Sequence, residues 1–489
     1  MRLRTTTALA ALVAAGLTPL TLASSPASAA PAKYGDDFNG DGFRDLAVTA
    51  PYATAASADQ AGAVVVSYGS ANGVTSARST VISQSSAGVP GASEAGDLFG
   101  SAVAAGDFNS DGYGDLAVGA SGEDTSAGVG TGEDTGAVTV LWGSSAGLSG
   151  GTALELPPVN YPHGYGVSLA SGDFNGDGRD DLAMGSMSYH GIFIYDGGTE
   201  KGSSTLGGRH GFAATSLSKN SYIESLAAGD IDHDGTDDLV VGGNNNETED
   251  FFKQSVYLAP GTTRHTYAGD VSHGDTAAVG DVDGDGYADI VTGHKSEPRS
   301  IFAGTTLGGN VTLTYGSASG PDTSRPPVTI TQDTAGVPGA SEANDQFGAS
   351  VTLGDITGDK YADLVVGAPQ ESVGAAEYTG SVTVIPGGPS GLSTATSYTY
   401  HQDTAGVPGA AERNDNFGSS VALRDTNADG RADLAVGASG ENNYTGAMWS
   451  LKANSSRLTT TGATSFSATT VGLRTTGVAN EPEFGTGIG

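Results

Sequence analysis

Seven acidic segments, each with Asp at positions 1, 5 and 9, constrain this chain more than any other feature. The first reads Asp37-Phe-Asn39-Gly-Asp41-Gly42-Phe-Arg-Asp45 and runs into the apolar Leu46-Ala-Val. The pattern returns with starts at Asp107, Asp173, Asp230, Asp281, Asp355 and Asp425, at intervals of 70, 66, 57, 51, 74 and 70 residues. Self-similarity at such a period marks a structural unit that buries its apolar face only against its neighbours. Each interval holds four strands of about five or six residues plus their turns.

Residues 347–354, 363–368, 380–385 and 397–400 alternate or run apolar and are bounded by turn residues, which predicts strands A, B, C and D of one unit. The expected fold is all-β: a seven-bladed β-propeller with four-stranded antiparallel blades over residues 31–489. In an antiparallel meander, A–B and C–D turns share one face of the disc, and B–C and D–A loops share the other. The C–D turns at 69–73 and 387–391 are tight, whereas the B–C segment 121–136 and the D–A segments 87–98, 335–346 and 405–416 are long. Long loops on a rigid face are where binding usually resides.

No strand A precedes the first acidic segment. The sequence Thr476-Gly-Val-Ala-Asn-Glu-Pro-Glu-Phe484-Gly485 resembles the D–A loop before Phe417-Gly418, so residues 484–488 are expected to complete the first blade. Pairing the two chain regions removes open sheet edges that would otherwise template aggregation.

Oxygen ligands at positions 1, 3, 5 and 9, with a turn-forming glycine at 6, suit a hard cation, and calcium fits best. Zinc would want His or Cys, and magnesium stricter octahedral geometry. The candidate ligands are Asp37, Asn39, Asp41 and Asp45; Asp107, Asn109, Asp111 and Asp115; Asp173, Asn175, Asp177 and Asp181; and Asp230, Asp232, Asp234 and Asp238. The last three loops offer Asp281, Asp283, Asp285 and Asp289; Asp355, Asp359 and Asp363; and Asp425, Asn427, Asp429 and Asp433. Up to seven calcium ions are expected, with the 355–363 site weak or empty because Thr357 and Lys360 stand at positions 3 and 6. Position 12, where a helix-flanked calcium loop carries Glu, holds Val48, Val118 or Val241, so the loops are expected between strands. Asp, Asn and Gly also make ordinary turns, but turn chemistry does not require acids at all three positions.

Arg2 and Arg4 precede an apolar run over 8–22 and the small residues Ala27-Ser28-Ala29, which predicts a secretory signal over 1–30 and an extracellular product. No later run approaches a membrane span. The chain has no Cys, so bound metal and core burial must do what disulfides do in many secreted domains. A net charge of −34 argues against nucleic acid or anionic membrane as partner. A monomer is expected.

The Phe-Gly pairs at 99, 347 and 417, the acidic loop, and the Gly-Ala pairs at 119, 367 and 437 together resemble the FG-GAP repeat of integrin α-subunit propellers and their secreted bacterial relatives. That resemblance implies calcium loops on the face opposite the ligand face, and a binding or adhesion scaffold for an extracellular protein or glycan. No catalytic constellation stands out. Gly143-Ser-Ser145-Ala-Gly147 spells a nucleophile elbow but falls in a predicted C–D turn, without the strand-to-helix setting that an elbow needs. The eight histidines recur at no fixed repeat position, and most read as surface residues. The competing class is a secreted hydrolase or lyase, of phospholipase or polysaccharide-lyase type, or its accessory subunit; acids on the long loops such as Glu94, Asp97, Glu123, Glu342, Asp345, Glu412 and Asp415 read there as turn residues.

Overall fold

The computed structural model describes residues 31–125, 134–157, 163–187, 191–214, 216–217, 222–244, 252–295, 306–474 and 481–489; the predicted signal over 1–30 lies outside the described residues. Six four-stranded meanders and one three-stranded sheet follow one another, each with its strands in sequence order. The unit used above for the strand prediction forms Ser350–Gly354, Asp363–Ala368, Ser381–Ile385 and Tyr398–Tyr400. Blades 4 and 5 lack the Phe-Gly pair, yet they too are complete: Tyr222–Gly229, Asp238–Asn244, Lys253–Leu258 and Thr266–Val271, then Thr276–Gly280, Asp289–His294, Asn310–Thr314 and Val328–Ile330. First strands of successive blades lie side by side, which places them around the ring axis.

Blade 1 contributes Leu46–Ala50, Ala63–Ser67 and Ser79–Ile82 in sequence, and the chain's last residues supply its fourth strand, as expected. Ala47 and Gly489 exchange N–H···O bonds of 3.0 and 2.9 Å, Thr49 N donates to Gly487 O at 2.9 Å, and Gly485 N donates to Thr49 O at 3.1 Å. Pairing thus extends one residue beyond the predicted 484–488. Phe484 is fully buried among Val48, Met448 and Phe466. A charge cluster crosses the same seam: Asp36 is 2.8 Å from Arg44 Nε and 3.0 Å from Arg424 Nε, tying the first loop to the last blade.

The Phe-Gly pairs owe their form to packing between blades. Phe99, Phe347, Phe417 and Phe484 are fully buried, each bridged to a glycine that precedes strand C of the blade before: Gly62, Gly309, Gly380 and Gly446. A Cβ on Gly446 would lie 2.1 Å from Phe484 O, so only glycine permits this approach. Tyr165, bridged to Gly136, fills the same place in blade 3.

Among the described histidines His163 and His233 are exposed, as expected of most, but two depart from that expectation. His294 is completely buried beside Asp275, and the His265 ring stacks on Phe212 with centroids 4.5 Å apart. Long apolar neighbours make these sites hospitable to a neutral imidazole, which composition alone does not reveal. Burial, with His210 nearby, pushes His265 down to about 4. Its folded pKa lies below its unfolded one, so the contribution to stability is complete above about 6.5 and is lost as pH falls towards 4. Comparing thermal melts at pH 7 and pH 5, His265→Gln should reduce the acid-induced fall in melting temperature; an identical fall in both proteins would contradict this.

Candidate metal centres

In blades 2 to 7 each acidic segment is a hairpin loop, as predicted, that joins strand A to strand B, and in blade 1 it leads into strand B while strand A comes from the chain's last residues. Its ninth residue is the first of strand B in Asp115–Ala120, Asp181–Met184, Asp238–Asn244, Asp289–His294, Asp363–Ala368 and Asp433–Ala438. Asx turns shape the loop. Asp107 accepts the N–H groups of Asp111 and Gly112, both at 3.1 Å, and Asp111 accepts that of Tyr113 at 3.1 Å. The first and fifth acids do the same around Asp37 and Asp41, Asp173 and Asp177, Asp230 and Asp234, and Asp425 and Asp429. Position 6 needs a left-handed backbone: Gly112 has φ 89° and Gly286 95°. In the divergent loop Lys360 adopts φ 77°, and its N–H still bonds Asp355 at 2.8 Å, so the turn survives its loss of glycine.

The ninth acid does more than spacing revealed. Its Oδ1 accepts a backbone N–H from the end of strand C or the C–D turn in every blade: Gly69, Gly143, Gly197, Ala259, Gly316, Gly387 and Ala453, at 2.6 to 3.0 Å. This confirms that A–B and C–D turns share a face. Oδ2 of Asp45, Asp181, Asp238, Asp289 and Asp363 accepts the N–H of position 2 in its own loop. Asn109 supplies the donor to Asp115, and Thr426 and Asn427 supply donors to Asp433. Burial, with neighbouring acids adding to it, pushes Asp45 and Asp115 up to about 8, Asp181, Asp238 and Asp289 to about 7, and Asp363 to about 6.

Asp289→Ala therefore leaves the buried N–H groups of Val282 and Gly316 without acceptors. It should cost about 2–4 kcal/mol even in chelated protein, seen as a lower denaturation midpoint. Asp285→Ala, at an exposed position, should cost far less under the same conditions; equal losses would refute the tie.

Do these loops fit a cation? Asp230, Asp232 and Asp238 bring carboxylate oxygens within 4.8 Å of one another, and so do Asp281, Asp283 and Asp285. Third-position oxygens are buried without a hydrogen-bond partner at Asn109 Oδ1, Asp232 Oδ1, Asp283 Oδ1 and Thr357 Oγ1. An orphaned acceptor among carboxylates is what a hard cation would satisfy. Asn39 and Asn175 instead accept the N–H of Asp41 and Asp177, both at 2.9 Å. Basic side chains reach some loops, a feature invisible in the motif: Arg78 lies 2.9 Å from Asp41, and Arg325 lies 2.8 Å from Asp283 while covering the Tyr315 ring. Ser145 sits in a strand-to-strand turn with no helix after it.

Seven antiparallel blades with an acidic hairpin in each define an all-β propeller of the loop-on-one-face kind. The FG-GAP repeat matches residues 35–67, 99–141, 273–313, 347–385 and 417–451, and the FG-GAP-like repeat matches 173–241, together about half of the chain. The chain belongs to the FG-GAP repeat family. It is 34% identical over 195 residues to phosphatidylinositol-glycan-specific phospholipase D of Bos taurus, covering 38% of this chain and 22% of that one. It is 29% identical over 225 residues to integrin alpha-5 of Xenopus laevis, covering 42% and 20%. The chain thus spans about a fifth of these curated relatives. Among solved structures, BBS1N in complex with ARL6DN aligns over 74% of this chain and 80% of that one, with a TM-score of 0.39 and 12% identity, too distant to inform the site.

Proposed function

We propose that this chain is a secreted, calcium-binding extracellular scaffold that holds a protein or glycan ligand on its B–C and D–A loops. The observation that carries the reading is the division of faces: acidic hairpins and tight turns occupy one, and long loops on a closed ring occupy the other. Calcium at the acidic loops would neutralise like charges and fix each A–B hairpin against its C–D turn, holding the opposite face rigid. The candidate ligands are the residues named from the sequence, with Asp230, Asp232 and Asp238 and Asp281, Asp283 and Asp285 the two converged sets and the Asp355 loop the weakest. Among the described residues no helix is long and apolar enough to cross a membrane, which is compatible with a secreted role.

A second reading is favoured by one finding, the similarity to a phospholipase D. On that reading the chain is a secreted hydrolase or lyase, of phospholipase or polysaccharide-lyase type, or the accessory subunit of one, and the shared region is 22% of that relative. Fold alone does not choose between them. Glycan-array binding measured with and without calcium, beside an esterase and lyase screen, separates the two. Calcium-dependent retention of one glycan or protein class without turnover supports the scaffold; turnover of a lipid or polysaccharide overturns it.

A further inference from the structure

Blades 4 and 5 carry the two hairpins with Asp at positions 1, 3, 5 and 9, and in both of them three carboxylates converge. In each, Oδ1 of the third-position acid, Asp232 or Asp283, is buried without a hydrogen-bond partner. The two loops are thus chemically matched, but their surroundings differ. Among the described residues no Lys or Arg pairs with Asp230, Asp232, Asp234 or Asp238. In blade 5, by contrast, Arg325 reaches the hairpin from the C–D connection, with Nη1 2.8 Å from Oδ2 of Asp283 and 3.9 Å from Oδ2 of Asp285. Bases at other hairpins each touch one acid, at position 5: Arg78 and Arg179 at 2.9 Å from Asp41 and Asp177, Arg431 at 3.7 Å from Asp429, and Lys201 at 4.0 Å from Asp111. Arg325 alone among these reaches the third-position acid, whose side chain is only 8% exposed.

Local structure holds this arginine in place. Asp322 N donates to Tyr315 O at 2.8 Å, and the Asp322 carboxylate accepts the N–H and the hydroxyl of Ser324 at 2.8 and 2.7 Å, so an Asx turn ends immediately before Arg325. Pro326 and Pro327 follow it, and a residue before proline is restricted to extended backbone. The guanidinium lies over the Tyr315 ring, with Cζ 3.2 Å from the centroid, and that ring is itself buried. A guanidinium does not deprotonate in proteins, so the positive charge here is permanent. Two of the acids that would hold a divalent cation in blade 5 therefore already share a monovalent one, and a second cation must work against it. The blade 4 hairpin carries no such cost.

We propose that Arg325 is the resident counter-ion of the blade 5 hairpin and sets the calcium threshold of that loop above that of its neighbour in blade 4, an inference that rests on the calcium reading of the hairpins given above. Two loops of one sequence pattern are thereby divided into one that fills early and one held back until free calcium is higher.

Equilibrium dialysis of the full chain against stepped free calcium tests this. Arg325→Ala should tighten one site about fivefold. In an Asp281→Asn background the same substitution should give no such gain, because the blade 5 loop has already lost a ligand while Arg325 keeps both of its acids. Arg413→Ala removes an equal charge from the exposed pair with Glu377 at 3.0 Å and should leave every site within about twofold, which separates a local effect from one of net charge. Melting gives a second readout. In chelator, Arg325→Ala should lower the midpoint, because Asp283 and Asp285 lose their counter-charge; in saturating calcium that deficit should shrink. Unchanged or weakened calcium binding in Arg325→Ala overturns the proposal, weakened binding making the arginine a support for Asp283 instead. A gain that persists with Asp281→Asn, a matching gain in Arg413→Ala, or an equal melting deficit with and without calcium overturns it too. A wild-type chain that binds no calcium removes the calcium reading along with the proposal, whereas calcium binding indifferent to Arg325→Ala removes the proposal only.

Discussion

A chain ending at Glu481 should melt on the order of 5–10 °C below the full-length protein and aggregate at concentrations where the full chain stays in solution. The deletion removes the four backbone hydrogen bonds between residues 485–489 and strand Leu46–Ala50, and with them a fully buried Phe484. Emptying a Phe site in a core costs about 3–5 kcal/mol, and each lost backbone bond about 1 kcal/mol. Unfolding entropy near 2 cal/mol/K per residue converts that sum to the stated shift for a domain of this size. Blade 1 would be left with three strands and an unpaired edge at the ring axis, which is where the aggregation arises. Equal melting temperatures for the two chains would show that the ring does not depend on this strand. Phe484→Ala serves as the milder control, since it keeps the backbone pairing and loses only the side chain.

Adding millimolar calcium to chelated protein should raise its melting temperature by on the order of 5 °C. At extracellular-type affinities, Kd ~0.1–1 mM, each occupied loop adds about 0.5–1.5 kcal/mol. The ninth acids are buried and pushed up, and in each loop they share a small volume with the first and fifth acids, so the cation-free fold carries repulsion that the unfolded chain escapes. Asp234→Asn, in one of the two loops whose carboxylates converge, should remove a larger part of the calcium response than Asp359→Asn in the loop with Thr357 and Lys360. An absent thermal response, measured by calorimetry with and without chelator, would remove the calcium reading of the hairpins.

How much of this was legible beforehand depended on whether partners were near in sequence. The acidic hairpins were readable because first, fifth and ninth positions meet through one short loop. Ring closure was readable because the closing segment is an eighth copy of the loop-and-strand A pattern. Blades 4 and 5 were harder to read: without a Phe-Gly pair, nothing local marks where their inner strands begin. The outcome for Asp289 was not readable at all, since its second tie is a backbone N–H at Gly316, a group every residue possesses. Most histidines read as surface residues because composition carries no record of what packs over a ring.

Local chemistry by itself therefore determined the repeat, the strand count, the hairpin cages and the seam, because turns, alternation and short-range ligand spacing are properties of contiguous residues. Tertiary structure alone decided which oxygens are held by backbone donors, which are left orphaned and which bases reach the acidic loops. Those outcomes depend on how neighbouring blades desolvate one another, and desolvation is a property of the assembled ring.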